Sequence, residues 1–354
     1  MAPIECLRIE GRLRDARAVG PVADADLDFR LVPEGPVDAA ALLARPHVSL
    51  YALDLAHGGV TFVETPGGTD LLAAPFLHQA QRTHAARVLR VPFATLHELA
   101  DAAPGRDAPP LLLHSVGRCG STLVSSMLRA VPGVASVSEP DVFTGVETAV
   151  AAGALPEDDA VAVLRSALRL ATHGLAPAGA RPAVKLRSEV VWIAHLVERA
   201  APGAPVLFMY RDARRVIESY LRVLGREPGW SARLAHVPGL DAVVAGRHAR
   251  RVASRGPRMQ RFAYVLRGAT PLEVEQRGRW GKFLIQWLAK VHHYEALRAA
   301  RAEGGGVAAL RYEDLVADPA GILRAVFDHW GLPGDALPAA VAAMRGDSQR
   351  GTAY

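Results

Sequence analysis

The feature that most constrains this chain is an apolar run that ends in a glycine-rich turn and opens a helical pattern. The run covers residues 111–116, and the turn reads Gly117-Arg118-Cys119-Gly120-Ser121-Thr122. Apolar residues then recur at helical spacing, at Leu123, Val124, Met127, Leu128 and Val131. This order predicts a strand, a turn and a helix. Such a turn directs unpaired backbone N–H groups and the positive end of the helix dipole at one point, which suits an anion.

The spacing of the loop excludes three familiar sites. A P-loop of the Walker type needs Lys directly before its hydroxyl residue, and Gly120 stands at that place. A cysteine phosphatase needs an Arg six residues after its Cys, where this chain has Ser125. A serine-hydrolase elbow has the form G-x-S-x-G, which Ser121 does not match. An ordinary glycine turn without a ligand stays open as the alternative.

A second segment favours an anion site. Residues 205–210 form an apolar run that predicts a buried strand, and Arg211 follows it directly. Ser219 lies eight residues further on, in a helical pattern. Ligands of open parallel sheets collect at the carboxyl ends of the strands. A surface helix that carries arginines for solubility would explain Arg214 and Arg215, but it explains an Arg at the end of a buried strand less well.

Together these segments resemble the sulfotransferases that use 3′-phosphoadenosine 5′-phosphosulfate (PAPS). That family has a loop of the form [KR]-[ST]-G-[ST]-T, here residues 118–122, and an Arg and a Ser eight apart after a strand. It also has a late Tyr-Glu-Asp-Leu stretch, here 312–315, and often Lys-x-His where this chain has Lys185-Leu186-Arg187. The resemblance covers residues 108–354, with the motifs in the family's order.

The resemblance implies a role for each matching residue. The phosphosulfate would be bound by the loop residues Gly117, Arg118, Cys119, Gly120, Ser121 and Thr122. Arg211 and Ser219 would bind the 3′-phosphate, Tyr312 would line the adenosine side, and Arg350 would contact the 3′-phosphate from the C-terminal stretch. Lys185 and Arg118 would stabilise the leaving group.

Two positions depart from the family pattern. Cys119 replaces the usual Ser or Thr; we interpret it as a small loop side chain, with a reactive thiol at a helix N-terminus as the alternative. Arg187 replaces the base histidine of the cytosolic branch and cannot accept a proton. The tyrosine-sulfating relatives use a Glu shortly after the first helix, which makes Glu139 the candidate base. A carboxylate that caps the following turn is the alternative for Glu139, and His114, His195 or a histidine within 226–293 are the alternatives for the base.

The pattern along the chain predicts an α/β protein with a parallel sheet flanked by helices, a P-loop-like sulfotransferase fold. A Pro/Gly/Asp stretch at 101–110 separates an α+β accessory segment, 1–107, from the sulfotransferase domain, 108–354. Predicted strands lie at 48–53, 60–63, 111–116, 183–186, 205–210 and 307–311, and predicted helices at 76–88, 189–201 and from 318 onward. Residues 226–279 hold eleven arginines against four acids. They predict a lid or acceptor platform, with a solvated basic face as the alternative.

Composition agrees with a soluble enzyme. The formal net charge of +5 suits an anionic cofactor but does not indicate a nucleic-acid partner. Two cysteines, Cys6 and Cys119, form neither a disulfide framework nor a metal cluster. The sequence shows no signal peptide and no apolar run of membrane-spanning length, so we expect a cytoplasmic protein without a membrane partner.

The resulting hypothesis is transfer of a sulfuryl group from PAPS to a hydroxyl, phenol or amine of a small-molecule acceptor. Adenosine 3′,5′-bisphosphate leaves by in-line displacement, and no metal is expected. A non-catalytic module that binds 3′-phosphoadenosine nucleotides is one alternative, and an ATP-dependent kinase is another. The acceptor and the oligomeric state stay open at this point.

Overall fold

Two five-stranded sheets form the framework of the molecule. The computed structural model describes residues 3–15, 22–104, 108–177, 179–224, 237–240, 243, 278–301 and 307–346. The N-terminal sheet is antiparallel and the second sheet is parallel. The predicted α/β class, with a parallel sheet flanked by helices, is confirmed.

The N-terminal sheet has the strand order β2-β1-β5-β4-β3. Its strands are β1 (Ile4–Arg12), β2 (Phe29–Val37), β3 (Val48–Asp54), β4 (Gly59–Glu64) and β5 (Arg87–Pro92). Helices α1 (Ala25–Asp28), α2 (Leu77–His84) and α3 (Phe93–Ala102) and short 3₁₀ turns at Ala40–Ala44 and Leu55–His57 complete this part. The strands predicted at 48–53 and 60–63 are therefore confirmed.

The helix predicted at 76–88 is wrong in its last part. Helix α2 ends at His84, and β5 begins at Arg87. The β5 strand pairs with β1 on one side and β4 on the other, so that Val88 and Leu89 are fully buried. Pairing on both edges favours the extended backbone, and β-branched residues fit such a strand well.

The parallel sheet has the order β10-β9-β6-β8-β7, with β6 at its centre. Its strands are β6 (Leu111–Ser115), β7 (Val134–Ser138), β8 (Arg181–Lys185), β9 (Val206–Tyr210) and β10 (Ala308–Arg311). The three central strands are almost wholly buried, which is typical of a parallel sheet covered on both faces. All four strand predictions for this sheet are confirmed to within two residues.

The following helices belong to this second part. They are α4 (Ser121–Arg129), α5 (Val142–Ala151), α6 (Glu157–Leu170), α7 (Ala194–Ala200), α8 (Ala213–Leu224), α9 (Gly278–Ala300), α10 (Tyr312–Ala317), α11 (Pro319–Trp330) and α12 (Leu337–Ala343). The helix predicted at 189–201 is divided into a 3₁₀ segment, Ser188–Ile193, and α7. The predicted start of α11 is confirmed, because the Asp318 carboxylate accepts from the Gly321 N–H at 3.0 Å.

One continuous apolar core joins the two sheets. It includes Ile4 and Phe62 from the N-terminal sheet together with Leu112 and Phe143 from the second part. Helix α5 packs on β3 so closely that a Cβ at Gly145 would lie 2.9 Å from the Leu53 Cβ. Helix α5 follows the carboxyl end of β7. The N-terminal sheet therefore packs near that end of the parallel sheet.

Two sequence predictions lie outside the described residues. They are Arg350 and most of the basic insertion at 226–279. Among the helices that the structure describes, none combines the length and the apolar character needed to cross a membrane.

Candidate anion-binding and catalytic site

The glycine-rich loop lies at the carboxyl end of the central strand β6. Gly117, Arg118 and Gly120 all adopt positive φ, at 81°, 54° and 87°. Glycine adopts this conformation without strain, whereas Arg118 does so at a cost. Gly120 directly precedes α4 and has no side chain to cap it. The loop thus turns sharply and leaves the N-terminus of α4 to an outside acceptor of hydrogen bonds.

Close neighbours explain why two loop positions are glycine. A Cβ at Gly120 would lie 2.5 Å from the Tyr312 ring, and a Cβ at Gly117 would collide with the Tyr220 hydroxyl. Tyr312, at the start of α10, therefore lies directly on the loop. The structure brings together the predicted phosphosulfate loop and the residue predicted to line the adenosine side.

A buried lysine joins the ends of three neighbouring strands. Lys185 ends β8 and is 3% exposed. Its Nζ donates to Glu139 Oε1 at 2.6 Å and to Thr122 Oγ1 at 3.2 Å, and it lies 5.1 Å from the centre of the Phe76 ring. Thr122 belongs to the first turn of α4, and Glu139 follows β7. Three of the predicted site residues thus form one cluster beside the loop.

Glu139 is held through its backbone as well as its carboxylate. Its φ is 56°, its N–H donates to the Lys185 carbonyl at 2.7 Å, and its carbonyl lies 3.2 Å from His78 Nδ1. The side chain is 18% exposed. Its carboxylate binds Lys185 and does not cap α5, which begins after Asp141. A non-glycine residue at positive φ is uncommon and occurs preferentially at functional sites.

Arg187 is paired with a buried carboxylate that the sequence analysis missed. Its Nη1 lies 2.7 Å from Asp141 Oδ1, and its Nε lies 4.0 Å from Glu139 Oε2. Burial lowers the pKa of Arg187, but Asp141 and Glu139 outweigh this and raise it above its usual range. Burial raises the pKa of Asp141, but Arg187 and His78 bring it below its usual range. Arg187, which stands where the resembling sulfotransferases have a base histidine, is therefore permanently charged.

The predicted 3′-phosphate residues lie on the other side of the loop. Arg118 Nε donates to Ser219 Oγ at 3.0 Å, which joins the loop to α8. The Arg211 guanidinium lies over the Tyr312 ring, 4.4 Å from its centre, and its Nε is 3.8 Å from Glu313 Oε1. Arg118, Arg211 and Ser219 thus bring two cations and a hydroxyl to the ends of β6 and β9.

Lys290 is a second buried lysine near the loop, and no motif in the sequence predicts it. It lies on α9, and its Nζ donates to Ser188 Oγ at 2.7 Å and lies 3.9 Å from Glu189 Oε1. Ser188 in turn borders Gly117, since a Cβ there would lie 3.0 Å from its hydroxyl. Lys290 is therefore connected to the loop through Ser188.

Cys119 has the environment of a packing residue. It is fully buried, and its Sγ donates to the Met209 carbonyl at 3.4 Å. Burial raises the pKa of the thiol, whereas a nucleophilic cysteine needs a lowered one. These observations favour the interpretation of Cys119 as a small loop residue.

The alternative base histidines differ in their surroundings. His195 is half exposed, and its Nε2 lies 3.8 Å from a Glu157 carboxylate oxygen. His114 lies inside β6, where burial lowers its pKa to about 4, with smaller contributions from His293 and Arg301. His114 therefore stays neutral inside the sheet, whereas Glu139 contacts Lys185 beside the loop.

The buried His114 predicts a loss of stability in acid. In the unfolded chain its pKa is near 6.5, so protonation below that pH favours unfolding, and this contribution is lost as the pH falls from 6.5 towards 4. The difference between 6.5 and about 4 corresponds to about 3 kcal/mol. We expect urea titrations at pH 7 and 4.5 to show a smaller loss for His114→Phe than for the wild type. His195→Gln is the exposed control, and equal losses in all three proteins would contradict the assignment.

One grouping among the described residues has the spacing of metal ligands, and it lies away from this site. Asp26, Asp54 and His57 offer ligand atoms within 4.8 Å of one another near the N-terminal sheet. Arg90 pairs with both carboxylates, at 2.5 Å from Asp26 and 3.5 Å from Asp54. The arginine supplies the positive charge at that position.

Comparisons with known proteins give distant similarities. No protein-family model matches the chain, and no curated protein matches it. A sulfotransferase domain from the curacin biosynthetic pathway is 17% identical, with a TM-score of 0.40 over 70% of this chain and 81% of that one. A sulfotransferase from Alicyclobacillus acidocaldarius is 15% identical, with a TM-score of 0.37 over 64% of this chain and 83% of that one. At these values neither similarity is evidence of an activity, so the activity has to be inferred from the site residues.

Proposed function

We propose that this protein transfers a sulfuryl group from PAPS to an oxygen or nitrogen nucleophile of a small acceptor. The observation that carries the proposal is the contact between Lys185, Glu139 and Thr122, with a 2.6 Å ion pair at the N-terminus of α4. A cation, a carboxylate and an anion-binding loop are the groups that this reaction needs. We further propose a cytoplasmic setting for the reaction.

The donor set fits a nucleotide with two separate anionic groups. The loop, with Arg118 and Lys185, would bind the 5′-phosphosulfate, and Arg211 with Ser219 would bind the 3′-phosphate. Tyr312 touches both the loop and Arg211, so the adenosine would lie between the two anion sites. Arginine and lysine side chains and backbone N–H groups supply the positive field.

In the proposed reaction, the acceptor atom forms a bond to sulfur while the bond between sulfur and the bridging phosphate oxygen breaks. The bond's electron pair goes to the 5′-phosphate, and Lys185 and Arg118 stabilise the negative charge that develops there. Glu139 accepts the acceptor's proton. Glu139 then returns the proton to solvent, since its side chain is partly exposed.

Glu139 distinguishes this proposal from a binding module. A negative charge next to an anion-binding loop weakens anion binding, so a protein that only binds the nucleotide gains nothing from it. Accepting a proton from the acceptor substrate would account for the Glu139 carboxylate at this position. The kinase alternative is weaker because Gly120 stands where such an enzyme places its phosphate-binding lysine.

Nucleotide selectivity tests the cofactor. We expect adenosine 3′,5′-bisphosphate to raise the melting temperature clearly and ADP to raise it little, because only the first offers a 3′-phosphate to Arg211. Ligand at 100 times its Kd stabilises the folded state by about 2.7 kcal/mol. Arg211→Ala should remove most of the difference between the two nucleotides.

Arg214→Ala is the matched control, since Arg214 lies three residues after Arg211, in α8, but is exposed and paired with Glu218. It should keep the wild-type selectivity. Equal stabilisation of the wild type by ADP and by the bisphosphate would contradict the 3′-phosphate assignment.

A further inference from the structure

The N-terminal segment reaches the candidate base through consecutive contacts. Pro75 accepts a hydrogen bond from the Ser138 hydroxyl at 2.6 Å, and His78 Nδ1 lies 3.2 Å from the Glu139 carbonyl. The Ala23 N–H donates to Asp141 Oδ2 at 2.7 Å. Three of the four residues from 138 to 141 are therefore held by residues that precede the parallel sheet.

These contacts hold a conformation that the chain does not favour by itself. Glu139 has a φ of 56°, and such a residue persists only where its surroundings fix it. His78 is buried, and burial lowers its pKa, so the ring stays neutral and can donate from Nδ1 to the Glu139 carbonyl. We expect loss of this contact to let Glu139 relax from its positive φ and to move its carboxylate relative to Lys185.

Asp141 controls the second cation near Glu139. Arg187 lies 2.7 Å from Asp141 but 4.0 Å from Glu139, so it is bound mainly by Asp141. The other oxygen of Asp141 is fixed by the Ala23 N–H. This division leaves Glu139 with Lys185 as its close cation. The Arg187 Nε lies 4.0 Å from the second oxygen of Glu139, beyond hydrogen-bond distance, so that oxygen can still accept a hydrogen bond from an acceptor.

We propose that the N-terminal segment positions the base. Through His78 and Asp141 it holds Glu139 in the conformation that faces Lys185 and keeps Arg187 bound more closely to Asp141 than to Glu139. This inference rests on the proposed function, and it gives residues 1–107 a direct part in turnover. His78 and Asp141 are positioning residues, because they act through Glu139 and Arg187.

The first test compares two substitutions of the same buried residue. His78→Asn keeps a donor near the place of Nδ1, whereas His78→Leu removes it at similar size. Turnover is measured as release of adenosine 3′,5′-bisphosphate from PAPS with 4-nitrophenol, an aliphatic alcohol, a primary amine or water as acceptor. We expect His78→Leu to lower kcat by about tenfold or more, the effect of losing about 1.4 kcal/mol of transition-state stabilisation. The KM for PAPS and the Kd of the bisphosphate should change less than twofold, and His78→Asn should restore most of kcat.

The second test uses Asp141→Asn. Asparagine can accept from Arg187 or from Ala23 but cannot serve both as a carboxylate does, so Arg187 turns towards Glu139. We expect kcat to fall by about 10- to 100-fold, with bisphosphate binding retained. Tyr51→Phe is the control, because it removes a buried hydrogen bond to Asp28 in the same N-terminal segment. It should lower the melting temperature and leave kcat per folded molecule unchanged.

The outcomes separate this inference from the proposed function. A wild type that releases no bisphosphate from PAPS with any acceptor overturns both. A wild type that turns over, with Glu139→Gln inactive and with His78→Leu and Asp141→Asn as fast as the wild type, overturns the positioning role alone. The positioning role is also overturned if Tyr51→Phe lowers kcat as much as His78→Leu, since stability alone would then explain the effect.

Discussion

Glu139→Gln is expected to lower the rate of sulfuryl transfer by about 10²- to 10⁴-fold, the usual cost of losing a general base. Glutamine keeps the size of the side chain, and its amide oxygen can still accept from Lys185. It cannot take a proton from the acceptor. Because the residue lies beside the loop and not within it, and because a negative charge is removed, the affinity for adenosine 3′,5′-bisphosphate should equal or slightly exceed that of the wild type.

The measurement combines PAPS turnover with bisphosphate binding on the same purified variant. Glu198→Gln is a suitable control, because Glu198 lies in the last turn of α7 and forms an ion pair with Arg301. It should leave turnover unchanged. Near-normal turnover in Glu139→Gln would remove Glu139 as the base and turn attention to His114, His195 and the histidines within 226–293.

The local part of the site could be predicted from the sequence. The strand, turn and helix at 111–129 follow from an apolar run, two glycines and a 3.6-residue period, which neighbours in sequence determine. The pattern also predicts Arg211 at the end of the 205–210 strand, whereas the role of Lys185 follows from the resemblance. The strand that leads to Glu139, Val134–Ser138, is not among the predicted strands, so the contact of Thr122, Lys185 and Glu139 is seen only in the structure.

The contacts from the N-terminal segment could not be predicted. Ala23 lies 118 residues from Asp141, and His78 lies 61 residues from Glu139, so no periodic pattern links them. One indication was present. Arg187 in a buried position requires a carboxylate, and Asp141 lies two residues after Glu139 at the end of the neighbouring strand.

The error in β5 has a similar cause. Residues 85–88 follow a helix without a proline or glycine to end it, so the sequence pattern predicts that the helix continues. The backbone becomes extended there because β1 and β4 supply partners on both edges. A strand in the middle of a sheet is defined by its neighbours more than by its own residues.

The second large effect is expected from Lys185→Met. Removing this cation should lower turnover by about 10²- to 10³-fold, because the charge that develops on the leaving phosphate loses a buried partner. It should also lower the free energy of unfolding by about 3 kcal/mol, the lower end for a broken buried pair, since Glu139 keeps some exposure. The double variant Lys185→Met with Glu139→Gln separates the two effects.

In that double variant the carboxylate without a partner is gone, so most of the lost stability should return while turnover stays low. Denaturant unfolding of the wild type, both single variants and the double variant gives the coupling energy between the two side chains. A pair with Nζ and Oε1 at 2.6 Å inside the protein should show a coupling of more than about 1 kcal/mol. Additive stability changes would mean that Lys185 and Glu139 do not interact in solution. Recovery of turnover in the double variant would mean that Lys185 serves only to neutralise the carboxylate and that Glu139 is not the base.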